Sequence, residues 1–224
     1  MITFSDKAIK YFLNLKTPIN LPGGIQIINP YHKLEVVELL QRFYTKYFND
    51  IKNRTFVLGI NPGRFGGGLT GISFTDPVAL REECAIENNL GNKKELSSEF
   101  VFKVIKEYGG TARFFSKFYL SALYPLAILK NGKNYNYYDN KNLYKLTEAG
   151  IISSLNSQTR FGSKKEFVIS LGKKNGEYLK KLNEQLKLFE RVEVLDHPRF
   201  IMQYKRKKLK RYIDDYLRIL CLNK

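Results

Sequence analysis

The chain has 224 residues, 38 lysines and arginines against 21 acidic residues, and a formal net charge of +17. That length suits one domain over residues 1–224 with a sizeable core, and the charge favours a polyanionic partner, nucleic acid first, over a small neutral substrate; a merely lysine-rich solvated surface is the bland alternative. The sequence has no apolar run of about eighteen residues for a membrane span and no basic-then-apolar leader, and its two cysteines, Cys84 and Cys221, are too few for a four-cysteine zinc or iron–sulfur site.

In chain order, Ser5 is placed to cap a helix from Asp6 to Leu15, and Thr17 to Gly24 forms a turn-rich connection. Asn29-Pro30 opens an amphipathic helix with Leu34, Val37, Leu40, Phe43, Tyr44 and Tyr47 on one side. Thr55 to Ile60 is a short buried strand. Asp76-Pro77 starts a helix to about Glu87, and another runs from Ser98 to Tyr108 and stops at Gly109-Gly110. Phe118 to Leu123 is a strand, followed by a polar loop over Lys130–Asn142. Helix returns from Leu143 to Leu155, strand over Phe167–Leu171 and helix over Gly176–Leu188. Val192 to Leu195 is the last strand, and a single helix closes the chain from Gln203 to Leu220. Helices alternating with short apolar strands give the α/β class, a three-layer α/β/α arrangement around a short, mostly parallel sheet.

The chemistry-bearing residues lie at strand ends. The strand ending at Ile60 runs into Asn61-Pro62-Gly63-Arg64-Phe65, three further glycines and Thr70-Gly71-Ile72-Ser73-Phe74. Glycines there let backbone approach a ligand, and phenylalanines offer flat surfaces for stacking. A second strand end carries His197-Pro198-Arg199. Both positions are where open α/β sheets build their pockets. The first motif resembles that of the uracil-DNA glycosylase superfamily, and most of all its single-strand-selective monofunctional branch; His197-Pro198-Arg199 is similar to the family's late His-Pro motif.

That resemblance implies a monofunctional DNA glycosylase acting in base excision repair on a flipped, deaminated base. Asn61 would hold the attacking water and His197 would donate to the base oxygen. Ile60 and Gly63 would line the base through their backbone, Phe65 would shape the wall, and Phe74 would stack on the base. The partner implied is DNA, single- or double-stranded. No metal or organic cofactor is implied. A monomer in the cytoplasm, associated with the nucleoid, is expected, with no membrane contact. Asp76 is the loop's nearest carboxylate, and its place before Pro77 fits a helix cap.

One position departs from the family. Where the family carries an asparagine that reads the uracil edge, three residues before a Pro-Leu pair, this chain has Ala122. Ser121, Asn134 or a backbone group would have to substitute, or the pocket admits xanthine or hypoxanthine. The run Lys205-Arg206-Lys207-Lys208 beside the His-Pro loop suits phosphate contact by Lys205, Lys207 and Lys208, with Arg199 first, and Phe200 or Met202 as alternatives, as candidate wedge into the flipped-base gap. Two other readings stay open: a non-catalytic nucleic-acid-binding protein on the same fold, and an α/β enzyme of nucleotides. The second lacks a Walker lysine–serine/threonine pair and a Gly-x-Gly-x-x-Gly fingerprint.

Overall fold

The computed structural model describes residues 1–18 and 20–223, Asn223 by its backbone alone, so Ile19 of the turn-rich connection lies outside the described residues. Helix α1 (Phe4–Leu13) begins earlier than expected. Thr3, not Ser5, caps it: the Thr3 hydroxyl accepts from the Asp6 N–H, and the Asp6 carboxylate accepts from the Thr3 N–H. This reciprocal pair satisfies two otherwise orphaned donors. Strand β1 (Ile25–Ile28) follows. Asn29 caps a single 3₁₀ turn over Pro30–His32 before α2 (Leu34–Phe48) starts.

Strand β2 (Thr55–Gly59) is buried throughout. The glycine loop contains one turn of helix, α3 (Gly67–Thr70), and leads to α4 (Pro77–Glu82), capped by Asp76 as expected. Then come α5 (Leu96–Tyr108), α6 (Thr111–Lys117) and β3 (Phe118–Ala122). The expected polar loop over Lys130–Asn142 opens with a hairpin, β4 (Ala127–Lys130) with β5 (Lys133–Asn134), and stays irregular from there to Asn140. Its turn is Asn131-Gly132, with φ of 49° and 73°, the paired left-handed geometry that Asn-Gly favours. The remaining elements are α7 (Lys141–Thr159), β6 (Phe167–Leu171), α8 (Lys173–Leu186), β7 (Arg191–Leu195), α9 (Pro198–Tyr204) and α10 (Leu209–Leu220).

The main sheet has the order β3-β2-β6-β7 and is parallel throughout. A small antiparallel sheet, β1-β4-β5, stands beside it. Burial of β2, β3 and β6 along their whole length is what helices on both faces require. On one face Val57, Leu120 and Ile169 meet α5 and α10 through Val101, Ile105 and Tyr216. On the other, Tyr119 packs against Phe4 of α1, Ser121 bonds to Gln158 of α7, and Ser170 bonds to Asn175 of α8. The α/β architecture expected from the sequence is therefore the one observed.

The amino-terminal end of the sheet is anchored by Arg54, which is fully buried. Its guanidinium donates to both Asp50 carboxylate oxygens at 2.9 Å and to the carbonyls of Phe115, Lys52 and Tyr47. It lies 4.7 Å from the Phe48 ring centroid and 5.0 Å from that of Phe4. Desolvation pushes the Asp50 carboxyl up, but the hydrogen bonds from Arg54 and the Lys52 backbone, together with the charges of Arg54 and Lys52, hold the group below its usual range.

The expected single closing helix is two helices. Pro198 sets the start of α9 at His197, and the chain breaks at Lys205–Lys208, where a 3₁₀ turn over Arg206–Lys208 precedes α10. The apolar side of α9 buries Ile201 and Met202, whereas α10 buries Tyr216 and Leu220. A change of direction lets both pack, and the self-repelling cationic run is left in the exposed joint. Cys84 and Cys221 are both free. Among the described residues no helix is long and apolar enough to cross a membrane.

Candidate active site

A cavity of about 480 Å³ opens at the carboxyl ends of β2, β3 and β7, a size suited to a small ligand. It brings together Ile60, Asn61, Gly63, Phe65, Phe74, His197 and Arg199. These residues come from two stretches far apart in sequence and converge because parallel strands end on the same side.

Asn61 is fixed by backbone from the segment that follows the small sheet's hairpin. Its Nδ2 donates to the Tyr135 carbonyl at 3.0 Å, and its Oδ1 accepts from the Tyr137 N–H at 3.3 Å. These two bonds set which amide end is which, and they leave the second lone pair of Oδ1 free for another donor. The Tyr135 N–H is itself bonded to the Ile128 carbonyl, which ties the clamp to β4.

Phe74 lies over the end of β2. A Cβ on Gly59 would overlap its ring, so only glycine fits there. Phe74 adopts φ of 56°, in the left-handed region that a bulky side chain enters only under constraint. The buried Thr70 supplies that constraint: its hydroxyl donates to the Thr75 carbonyl at 2.7 Å and accepts from the Ile72 N–H at 3.1 Å.

His197 faces Phe74 with ring centroids 6.2 Å apart. It is the N-cap of α9, and its Nδ1 accepts from the Arg199 N–H at 3.2 Å. That bond places the ring proton on Nε2. Burial, reinforced by the nearby Arg199 guanidinium, lowers the imidazole pKa to about 4. The ring is therefore a neutral donor at physiological pH. Tyr216 steadies the loop from α10 by donating its hydroxyl to the Asp196 carbonyl.

Phe65 stands between two cations, with the Arg64 guanidinium 4.4 Å and the Lys93 ammonium 5.6 Å from its ring centroid. The Arg64 N–H also donates to Asn134 Oδ1 at 3.0 Å. This leaves the Asn134 amide nitrogen beside the cavity that both residues line.

Ser121 is the sequence candidate that the structure removes from the cavity. Its side chain is fully buried and donates to Gln158 on α7. Successive residues of a strand point to opposite faces, so Ala122 rather than Ser121 lines the cavity. Arg199 reaches the cavity from the first turn of α9 instead of from a loop. Phe200, 39% exposed, is turned toward Tyr204 and Lys205. Lys205, Lys207 and Lys208 form an exposed cluster in the joint between α9 and α10, outside the cavity lining.

Sequence reasoning missed Glu95, the one carboxylate among the described residues that line the cavity. It sits at the N-cap of α5, and no local motif marks it.

The chain matches the Uracil DNA glycosylase superfamily over residues 45–221. No curated protein sequence matches it. Among solved structures, the crystal structure of wild-type SMUG2 from Pedobacter heparinus superposes with a TM-score of 0.95 at 43% identity, covering 99% of this chain and 98% of that one. The resemblance to the single-strand-selective branch thus holds over nearly the whole length, and this chain belongs to the uracil-DNA glycosylase superfamily of DNA glycosylases.

Proposed function

We propose that the chain, as one domain over residues 1–224, is a monofunctional glycosylase of base excision repair. It flips a deaminated base out of DNA and hydrolyses its N-glycosidic bond. Uracil is the first substrate, with xanthine and hypoxanthine admitted beside it. The observation that carries this reading is the convergence of Asn61 and His197 on one cavity, each held in a single orientation by backbone hydrogen bonds.

Breaking the bond leaves negative charge on the departing base and positive charge on the sugar. The neutral Nε2–H of His197 is a preorganised donor for the oxygen where the negative charge gathers, and such a donor lowers the barrier by roughly 3–4 kcal/mol. Asn61 Oδ1, with one lone pair unspent, orients the water that attacks the sugar. An amide is a weak base, so its contribution is placement. Phe74 supplies the stacking face for the flipped base, and Ile60 and Gly63 supply close backbone. Arg199 and Phe200, in the first turn of α9, are the candidate wedge, and Lys205, Lys207 and Lys208 bind phosphates. The monomer is the acting unit, working on chromosomal DNA in the cytoplasm.

The base range follows from Ala122. A side chain ending at Cβ cannot make the paired hydrogen bonds that reject one base for another, and loss of such a pair removes a large part of discrimination. The Asn134 amide nitrogen is the polar group at hand to substitute.

Single-turnover cleavage of oligonucleotides carrying one uracil, xanthine, hypoxanthine or normal base tests the reading, with Asn61→Ala beside the wild type. Release of a deaminated base, lost in Asn61→Ala, is expected. Tight, salt-sensitive binding without release from any substrate would leave a nucleic-acid-binding protein on a glycosylase fold.

A further inference from the structure

The glycine loop closes around a carboxylate. Glu95 Oε1 accepts from the Phe65 N–H at 3.1 Å. A Cβ on Gly63 would overlap both carboxylate oxygens, and one on Gly66 would overlap Oε2. The Glu95 side chain therefore fills the space that these two glycines leave, and the loop wraps it like an anion held by consecutive backbone amides. Glu95 is fixed in turn. Its N–H donates to Asp76 Oδ2 at 2.8 Å, while Asp76 Oδ1 caps α4 through the Ala79 N–H. Asp76 is itself buried. A rigid path thus runs from the starts of α4 and α5 to the backbone between Asn61 and Phe65.

We propose that Glu95 is a positioning residue for the base-release reaction, acting as the peg on which the Gly63–Gly66 segment is formed. It does not touch the sugar or the departing base; it sets where Asn61 and Phe65 stand. This inference rests on the glycosylase reading of the same cavity.

The peg also titrates. Desolvation raises the Glu95 carboxyl pKa, and the Asp76 charge raises it further; the bonds from the Phe65 and Gly66 backbone and the Arg199 charge work against these without cancelling them. The other charged groups lining the cavity are Arg64 from the loop itself, Lys94 from the segment before α5 and Lys133 from β5. His197, at the N-cap of α9, is neutral down to about pH 4. As pH falls through the raised Glu95 pKa, the carboxylate gains a proton and the Phe65 N–H exchanges an ionic acceptor for a neutral one, which changes the surroundings of that amide. The Glu95→Gln variant separates this step from any titration of His197.

Two measurements test the proposal. In the free wild-type protein, the Phe65 and Gly66 amide resonances are followed from pH 8 to pH 4. They should shift together in one titration step above the ordinary glutamate pKa, a step absent in Glu95→Gln. In parallel, single-turnover base release at neutral pH should fall about ten-fold to a hundred-fold in Glu95→Ala, the range for a displaced reacting group. Glu95→Gln, which keeps shape and an acceptor, should recover most of that loss. Amides that do not titrate, Glu95→Ala at the wild-type rate, or Glu95→Gln as slow as Glu95→Ala would each overturn it. A wild type that releases no base sinks the glycosylase reading instead, and the amide titration, which needs no turnover, still decides whether Glu95 holds the loop.

Discussion

The two ends of the parallel sheet are built on opposite terms. At the amino-terminal end, Arg54 is buried with its guanidinium bonded to Asp50 and three carbonyls and stacked on aromatic rings. At the carboxyl end, Phe74 holds a left-handed backbone, His197 carries a depressed pKa, and Glu95 carries a raised one. One end gives every nitrogen of its buried guanidinium an acceptor. The other keeps donors, lone pairs and strain in reserve, as sites that bind and react do. Stability and chemistry are thereby separated along the same four strands.

That contrast can be broken from either side. His197→Ala should lower the rate of base release by about 10²–10³ with little loss of stability, since one charge-stabilising donor is removed. Unchanged turnover would take His197 out of the mechanism. Arg54→Met should do the reverse. It strands Asp50 and should cost about 3 kcal/mol of unfolding free energy, at the low end for a broken buried pair because Asp50 is partly exposed. The rate of base release from bound DNA, measured below the lowered melting temperature, should hold. Loss of rate without loss of stability would show that the two ends are coupled.

The pH response sharpens the same division. The folded pKa of His197, about 4, lies below its ordinary value of 6.5. The unfolded chain therefore takes the proton first as pH falls. Its contribution to stability is whole above the unfolded value and is lost progressively as pH drops toward the folded one. The imidazole resonances should show no titration near pH 6.5, and the rate should show no limb there. A limb near pH 6.5 that vanishes in His197→Gln would mean that the ring is exposed and charged. The smallest effect is expected at the cationic joint. Replacing Lys205, Lys207 and Lys208 by Gln should leave release at saturation unchanged and flatten the salt dependence of DNA binding. For every phosphate no longer neutralised, the slope should shrink by about 0.7 (single strand) to 0.9 (duplex) log units of affinity per log unit of salt. An unaltered slope would place the DNA elsewhere.

The sequence made one end of the sheet far more legible than the other. Asn61, Phe74 and His197 could be found because glycine and proline punctuate the strand ends that carry them. Helix α2 followed from its apolar spacing, although Leu34 of that face stands exposed, and α5 was marked by its Gly109-Gly110 stop. Arg54 could not be found, since a lone arginine before a strand reads as surface until the fold closes over it. Strand β1 is four residues with no alternation, and β5 is two, so neither carries a period to detect. The Asn131-Gly132 turn was a signal in plain view, obscured by the polar residues around it. The Ser121 assignment failed on strand parity, which local sequence does not fix when both faces of the sheet are covered. Glu95 is defined by what lies opposite it in space.

On the proposed glycosylase reading, Ala122 is a position where substrate range can drift while the fold stays still. Its backbone pairs in register with Gly59, and its carbonyl accepts from Gln158, which also holds Ser121 and Ser154 in a buried polar cluster behind the cavity. Everything that keeps this position in place belongs to its main chain or to its neighbours. Its side chain makes no hydrogen bond, so on that reading it can be exchanged as a lock maker changes one tumbler, altering which base is accepted while the casing keeps its shape.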